Sequence, residues 1–233
     1  MQMPPLDDIN EFKRVIIDKY PSLEDVWFVV DGLKLTLERP RHGRIQSCFY
    51  NGWTHDHYVT NVFVFAPNGQ IIACSINNPD NVHDSQVAEQ GGVYEKLEDQ
   101  HQHTGGKGVV DSAFSRGRYP FLIKSCQTLP TNTTEVVMLI NEGATALRQA
   151  SEWGVRGMQG SFPRVKDRIM YEEYGERLLM LLTVVHSQSR SISRSCCCLT
   201  RRTNWHVITC GRRSMSSHSR LFFINIDNCS TRG

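Results

Sequence analysis

Several common signatures are absent from this sequence, and each absence narrows the classes of protein to which it can belong. No apolar run approaches the ~20 residues that a membrane span needs. The first eight residues carry no basic segment followed by an apolar one, so they do not resemble a secretory signal. The eight cysteines contain no Cys-x-x-Cys pair, which argues against a structural zinc site. The sequence therefore predicts an intracellular protein with reduced thiols and no membrane partner.

An excess of positive charge is also missing from most of the chain. Residues 186–233 contain eight Arg and one acidic residue, Asp227, which leaves 18 basic and 23 acidic residues, a net −5, in residues 1–185. A nucleic-acid-binding module normally shows a basic face. Bulk charge alone therefore does not indicate a DNA-binding protein.

The last 48 residues differ in character from the rest of the chain. They show no hydrophobic period, and they hold ten Ser and five of the eight Cys. Such a mixture buries little apolar area on folding. We therefore expect a helical lead-in over 1–25, one folded domain over 26–185, and an irregular Ser/Arg/Cys-rich tail over 186–233. The composition of that tail suggests translation outside the evolved reading frame.

Hydrophobic spacing predicts the order of elements in the folded part. The predicted helices cover 8–20, 84–97, 135–169 and 176–185, and the predicted strands cover 26–35, 58–65, 70–76, 108–112 and a short segment within 118–123. A Pro67-Asn68-Gly69 turn makes the second and third strands a hairpin. This order of three strands, a helix, a strand and then helices predicts an α/β (α+β) fold: a ribonuclease-H-like mixed sheet flanked by helices.

Four acidic residues, Asp31, Asp84, Asp111 and Glu152, are the candidate functional groups. Asp31 and Asp111 each follow a pair of valines, so each should end a buried strand. In the predicted fold the first and fourth strands are neighbours and a late helix crosses them, which would bring Asp31, Asp111 and Glu152 together. Converging carboxylates repel one another unless a cation neutralises them. Because Mg²⁺ and Mn²⁺ prefer oxygen ligands, we predict a divalent-metal site at these four residues.

The motifs around these acids resemble those of PIF/Harbinger-type transposases in the DDE endonuclease superfamily. They run in the family's order across roughly residues 9–185. The matching stretches are Val30-Asp31-Gly32, Tyr50-Asn51-Gly52-Trp53-Thr54-His55, Asn78-Pro79-Asp80-Asn81-Val82-His83-Asp84-Ser85, Val110-Asp111-Ser112-Ala113-Phe114, and Glu152-Trp153-Gly154 with Phe162-Pro163-Arg164-Val165-Lys166. The resemblance implies that Asp31, Asp111 and Glu152 are the catalytic triad and that Asp84 is an additional acidic position.

The resemblance also implies an activity and partners. It implies metal-dependent cutting and joining of DNA at terminal inverted repeats, in the nucleus, with a Myb-like DNA-binding partner protein and a homo-oligomeric assembly. Related full-length transposases carry a helix-turn-helix segment ahead of the first catalytic Asp, whereas only about thirty residues precede Asp31. We therefore expect a truncated copy. The alternative is a catalytically inactive remnant or domesticated protein that only binds DNA or another protein.

Each acidic candidate has a purely structural alternative. Asp31 before Gly32 and Asp111 before Ser112 could serve as turn residues. Asp84 could be the N-cap of the helix that it starts, since Asp is favoured at that position. Glu152 could be a solvated residue on the outside of its helix.

Lys166 and Arg168 are the candidate DNA-binding residues, because they lie shortly after the helix of Glu152 and cations contact the DNA backbone. A solvated basic face is the alternative for both. Trp53 and Trp153 are expected to pack in the interior rather than to stack on bases, and the alternative for Trp153, which adjoins Glu152, is that it lines the site.

Overall fold

The structure is a computed structural model that describes residues 3–114, 118–171, 174–193, 206–208 and 222–224. The strands are β1 (Val26–Thr36), β2 (Tyr50–Asn51), β3 (Asp56–Phe65), β4 (Ile71–Pro79), β5 (Lys107–Val110), β6 (Leu122–Lys124), β7 (His206–Ile208) and β8 (Phe222–Ile224). The helices are α1 (Leu6–Lys19), α2 (Gly43–Phe49), α3 (Asp84–Gln90), α4 (Val93–Thr104), α5 (Glu135–Ser161) and α6 (Tyr174–Ser193), with a short 3₁₀ helix at Pro163–Lys166.

A six-stranded mixed sheet forms the centre of the molecule, in the order β2-β3-β1-β5-β6, with β4 also paired to β3. The pairs β1–β3 and β3–β4 are antiparallel, whereas β5 runs parallel to both β1 and β6. The predicted adjacency of the first strand and the strand that follows the helical region is confirmed. The architecture is that of a ribonuclease-H-like fold.

Helices cover both faces of this sheet. One face packs against α1, α3 and α4 through a cluster that includes Val30 and Val110. The other face packs against α5 and α6, with Val29 and Val109 among the residues that meet α5. Burying one such side chain fully contributes roughly 1.5–3 kcal/mol. The continuous β-branched runs of β1 and β5 follow from burial on both faces.

The predicted single helix over 84–97 is two helices, and the second of them extends seven residues beyond the predicted end, to Thr104. The chain breaks at Gly91 and Gly92, where Gly92 has φ +65° and a Cβ on Gly91 would lie 2.2 Å from Ser75 Oγ. The second helix, α4, then continues to Thr104 and ends at Gly105, also at φ +65°. Glycine adopts a left-handed backbone conformation at little steric cost, and both helices end at glycines for this reason.

The predicted helix over 135–169 is the continuous helix α5, which ends at Ser161 after 27 residues and contains four glycines. A Cβ on Gly143 would lie 3.2 Å from Leu23 Cγ, and one on Gly154 would lie 2.9 Å from a ring carbon of Phe65. Close packing against the loop between α1 and β1 explains Gly143, and close packing against β3 explains Gly154. Helix α2 and strand β2, in the segment after β1, are elements that the hydrophobic pattern did not predict.

The region after residue 185 is partly described. Helix α6 crosses that predicted boundary and ends at Ser193, and β7 and β8 form an antiparallel pair. The reading-frame prediction falls largely on residues 194–205, 209–221 and 225–233, which lie outside the described residues. In the described part of the chain, no helix combines the length and the hydropathy needed to cross a bilayer.

Candidate active site

Asp31 and Asp111 lie side by side on two neighbouring strands. The expectation that each ends its strand is wrong for Asp31, which lies in the middle of β1 because that strand stays paired with β3 as far as Thr36, whereas Asp111 directly follows the last residue of β5. The parallel pairing of β1 and β5 sets Val30 beside Val110, and each aspartate is the next residue in its chain. Side chains alternate between the two faces of a sheet, so both aspartates follow a valine of the α3–α4 face and belong to the α5 face. Neighbouring strands lie ~4.8 Å apart, and the two carboxylates therefore share one location.

The carboxylate of Asp31 is held from two sides. The buried Ser151 hydroxyl, on α5, donates a hydrogen bond to Asp31 Oδ2 at 2.8 Å, and the Gly32 N–H donates to Oδ1 at 3.0 Å. Burial is the main cause that raises the pKa of Asp31, and the charge of Asp111 raises it further, whereas Ser151 and the cation of Arg148 act in the opposite direction. The net rise means that the surroundings of Asp31 disfavour its ionised form.

Arg148 is a site residue that the sequence reasoning missed. Its guanidinium Nη1 lies 3.4 Å from Ser125 Oγ, and its Nε is buried with no hydrogen-bond partner among the described residues. Its charge lowers the pKa of Asp31. Residues three apart share one face of a helix, but Ser151 was missed as well, so their spacing gave no signal for either residue.

Asp84 reaches the site from the opposite face of the sheet. It is the first residue of α3, and His83 occupies the N-cap position that had been considered for Asp84. Asp84 Oδ2 lies 2.5 Å from the place that a Cβ on Gly32 would occupy. Burial is the largest cause that raises the pKa of Asp84, and Asp111, Asp80 and Asp31 add to it, while Lys34 lowers it. The missing side chain of Gly32 lets Asp84 come into electrostatic range of Asp31 and Asp111.

The turn expected as an alternative role for Asp111 is present. Asp111 Oδ1 accepts a hydrogen bond from the Ala113 N–H at 2.7 Å. This bond fixes the direction in which the chain leaves β5. The turn orients the carboxylate at the end of the strand, so a structural role and a functional role are compatible at this residue.

Glu152 differs from the three aspartates. Its side chain is 51% exposed, and its nearest cation is Arg156, with Nη2 3.9 Å from Oε2. An α-helix turns by about 100° per residue, so the orientation that aims Ser151 at Asp31 turns Glu152 away. Within the described ranges, no three His, Cys, Asp or Glu side chains lie close enough together to hold a metal ion. The structure thus brings Asp31, Asp84 and Asp111 into electrostatic contact and leaves Glu152 at the rim.

The chemistry of these donors fits a hard divalent cation. Asp31, Asp84 and Asp111 supply carboxylate oxygens, the ligands that Mg²⁺ and Mn²⁺ prefer. Mutual repulsion contributes to the raised pKa values of Asp31 and Asp84. A cation between these groups would remove that repulsion.

The two cations predicted to bind DNA have different environments. Arg168 forms a forked ion pair with Asp56, at 3.1 and 2.6 Å. The pKa of Asp56 is lowered, first by the hydrogen bond from the His57 N–H and then by Arg168. Lys166 is exposed at the end of the 3₁₀ helix. Arg168 therefore has a structural partner, whereas Lys166 faces solvent.

The expectation that Trp53 and Trp153 pack in the interior is wrong. Trp53 is 92% exposed and Trp153 is 41% exposed, with Arg156 over the ring of Trp153 at 5.6 Å. The tryptophan at the centre of the core is Trp27. Trp53 is exposed because it lies in the turn between β2 and β3.

The family of DDE superfamily endonucleases matches residues 30–201, which is 172 of the 233 residues. The chain belongs to the DDE superfamily endonucleases. The match includes all four acidic candidates and extends past the predicted domain boundary at 185. Neither the curated proteins nor the solved structures gave a match. DDE superfamily endonucleases act on DNA and generally use divalent metal ions, so this chain carries a nuclease- or transposase-type domain.

Proposed function

We propose that this protein is a metal-dependent DNA endonuclease of the transposase type, derived from a PIF/Harbinger-type element. The observation that carries the proposal is the shared position of Asp31 and Asp111 on paired strands β1 and β5, inside a DDE superfamily domain. Buried carboxylates that repel one another cost stability. Binding of metal ions and nucleic-acid phosphate at this site would explain why the chain keeps carboxylates that lower its stability.

In this proposal each site residue has a stated task. Asp31 and Asp111 would hold Mg²⁺ or Mn²⁺, Asp84 would join them by moving closer than it lies in this structure, and Ser151 orients Asp31 through its hydrogen bond. Glu152 would have to turn inward from its exposed position, and so leave Arg156, to complete the ligand set. Exposed ion pairs such as Glu152–Arg156 contribute little, roughly 0–1 kcal/mol, so that change is inexpensive. Two bound ions supply activation of the attacking water or 3′-hydroxyl and stabilisation of the leaving oxygen.

The motif resemblance is the support for the finer parts of the proposal. These are terminal inverted repeats as the DNA target, a Myb-like protein as DNA-binding partner, a homo-oligomeric assembly, and the nucleus as the place of action. The negative charge of residues 1–185 agrees with a partner that supplies part of the DNA affinity.

A second candidate function is a remnant that binds DNA or protein without cutting. The observation that favours it is Glu152, whose carboxylate is half exposed and lies nearest to Arg156. A site in which Glu152 never joins the aspartates would lack one of its ligands. The two candidates make opposite predictions for cleavage.

The test is nicking of terminal-inverted-repeat DNA by the full chain with Mg²⁺ or Mn²⁺. We expect Asp31→Asn, Asp111→Asn and Glu152→Gln each to lower the rate by at least about 100-fold, the upper end of the effect reported for residues that only support metal ligands. Glu142→Gln is the matched control, because Glu142 is an exposed acid on the same helix. Calcium should support binding without cutting.

The outcomes separate the candidates. Loss of nicking in the three site variants but not in Glu142→Gln supports the endonuclease. Nicking that persists in all three site variants means that the site is assigned to the wrong residues. A wild-type chain that binds DNA and never nicks it supports the second candidate, a catalytically inactive remnant.

A further inference from the structure

A basic and aromatic surface lies beyond the end of β1, apart from the acidic site. We define this basic face by five exposed residues: Arg39, Arg41, Arg44, Lys166 and the 92%-exposed Trp53. The three arginines come from the segment that contains the start of α2, Trp53 from the β2–β3 turn, and Lys166 from the 3₁₀ helix. The proposed catalytic site uses none of them.

Three contacts bring these segments together. Ile169 pairs with Leu37 as an isolated bridge, which ties the end of the 3₁₀ segment to the chain after β1. Arg168 reaches Asp56 at the start of β3. Leu37 and Phe49 share a small apolar cluster that Ile169 also packs against. The basic face is therefore one surface built on a common support.

The charge of this region is opposite to that of the rest of the core. Residues 37–57 and 163–169 contain six Lys or Arg and three Asp or Glu, a net +3. Since residues 1–185 carry −5, the remainder of the core carries −8. Positive charge is thus concentrated in a region that also exposes Trp53 almost completely. A basic stripe with an exposed aromatic is typical of a nucleic-acid-binding surface.

The turn that carries Trp53 is fixed in place. Asn51 Oδ1 accepts hydrogen bonds from the backbone N–H groups of Trp53, at 3.0 Å, and Thr54, at 3.2 Å. Asn51 Nδ2 donates to Asp80 Oδ2 at 2.7 Å. Asp80 is fully buried and also pairs with Lys34 at 2.7 Å. The backbone that carries Trp53 is thus fixed before any ligand binds, which reduces the entropy lost on recognition.

The same contacts relate the basic face to the acidic site. Lys34 and Asp80 both act on the pKa of Asp84. Along β3, Asp56 lies seven residues before Phe63, the partner of Asp31. At ~3.4 Å per residue the two sites are about 24 Å apart. That distance corresponds to about seven base pairs of DNA at ~3.4 Å each.

We infer that the basic face docks duplex DNA about seven base pairs from the bond that the acidic site cuts. The cations of Arg39, Arg41, Arg44 and Lys166 contact phosphates, and Trp53 packs against sugar or base edges in a groove. This inference rests on the proposed function for the position of the cut. It accounts for DNA contact by a core whose net charge is negative.

The test compares the DNA affinity of full-length variants in calcium. The probe is a duplex of about three helical turns, measured by fluorescence anisotropy between about 50 and 200 mM salt. The first variant is Arg39→Gln/Arg41→Gln/Arg44→Gln. Its control is Arg14→Gln/Lys19→Gln/Lys96→Gln, which removes equal charge from exposed positions on α1 and α4. Thermal unfolding confirms that both variants are folded.

Salt dependence separates the two kinds of contact. Each lost phosphate contact lowers the magnitude of the slope of log affinity against log salt by about 0.9. The slope should therefore fall in magnitude by about 2.7 for the arginine variant and stay almost unchanged for the control. Trp53→Ala should lower affinity roughly ten-fold without changing the slope, and Trp53→Phe should retain most of it. On nicked DNA the region that the protein protects should extend about seven base pairs from the nick. The arginine variant should no longer protect the part of that region farthest from the nick.

The possible results distinguish this inference from the proposed function. Nicking by the wild type, together with equal slopes for the two triple variants, overturns the inference and leaves the proposed function intact. A slope that depends on the basic face in a chain that never nicks supports the inference and contradicts the proposed function. A wild-type chain with no affinity for DNA overturns both.

Discussion

Ser151 and Asp31, 120 residues apart in the chain, are joined by a hydrogen bond of 2.8 Å between a buried hydroxyl and a carboxylate in the middle of β1. This bond ties α5 to β1 at the place where the acidic residues meet. It matches the rotation of α5, in which Ser151 faces the sheet and Glu152 follows it on the outside. The bond therefore connects the orientation of Asp31 to the packing of this helix.

Replacing Ser151 tests that contact. Ser151→Ala removes the donor to Asp31, so we expect the cutting rate to fall about 10–100-fold, the range for residues that orient metal ligands. The free energy of unfolding should fall by only about 1 kcal/mol. Single-turnover cleavage and urea unfolding measure the two effects. DNA affinity in calcium should stay unchanged, and Ser161→Ala, at an exposed position of the same helix, should behave as wild type. A loss of DNA affinity equal to the loss of rate would contradict the positioning role.

Gly32 is expected to be essential for the position of Asp84. A Cβ on Gly32 would lie 2.5 Å from Asp84 Oδ2, so Gly32→Ala should displace that carboxylate and weaken Mn²⁺ binding by at least about ten-fold. Stability should change little, because the atom that must move is at the end of a flexible side chain. Isothermal titration with Mn²⁺ measures the affinity.

Gly157→Ala is the control for that substitution, since a Cβ on Gly157 meets nothing within 4 Å. Alanine in a helix interior should stabilise it by up to about 1 kcal/mol, with no change in metal affinity. Equal Mn²⁺ affinity in Gly32→Ala and wild type would show that Asp84 is not a ligand.

Arg168 and Lys166 should separate into a structural and a functional residue. Arg168→Ala removes the forked ion pair with Asp56, so we expect a loss of about 1 kcal/mol in unfolding free energy. Lys166→Ala should change stability by less than about 0.5 kcal/mol and should weaken DNA binding. Urea unfolding and anisotropy measure these effects. The reverse pattern would assign the DNA contact to Arg168.

The ion pair of Asp56 predicts a pH dependence of stability. The folded-state pKa of Asp56 lies below its ordinary value of 3.8, so the folded protein holds the ionised form more strongly than the unfolded chain does. This stabilisation is present above that value and is lost as the pH falls through the folded-state pKa. Asp56→Asn should therefore destabilise the protein at about pH 7 and have a vanishing effect near pH 2. A destabilisation that stays constant across that range would mean that charge is not its cause.

The sequence was sufficient to predict the central sheet and the aspartates on it. The valine pairs before Asp31 and Asp111 mark buried strands, and the order of elements places those strands side by side, as the register of Val30 and Val110 confirms. Strand periodicity and element order are local signals that survive in a single sequence. The same reasoning did not predict α2 and β2, because the segment after β1 has no regular apolar spacing.

The parts of the site that depend on tertiary packing could not be predicted. Nothing local distinguishes Ser151, which faces Asp31, from Glu152, which faces solvent, since the rotation of α5 is set by contacts such as Gly154 against Phe65. The direction of the Arg148 side chain depends on the same rotation of α5. The exposure of Trp53 depends on a turn held by Asn51, and a turn's orientation is not encoded in hydrophobic spacing.

The most direct test of the account is a crystal structure of the protein with Mn²⁺, in which anomalous scattering locates the ion. The account predicts an ion at about 2.0–2.2 Å from carboxylate oxygens of Asp31 and Asp111, with the Glu152 side chain turned inward from its exposed position. An ion bound only at other residues, or Asp31 and Asp111 without metal at saturating Mn²⁺, would contradict it.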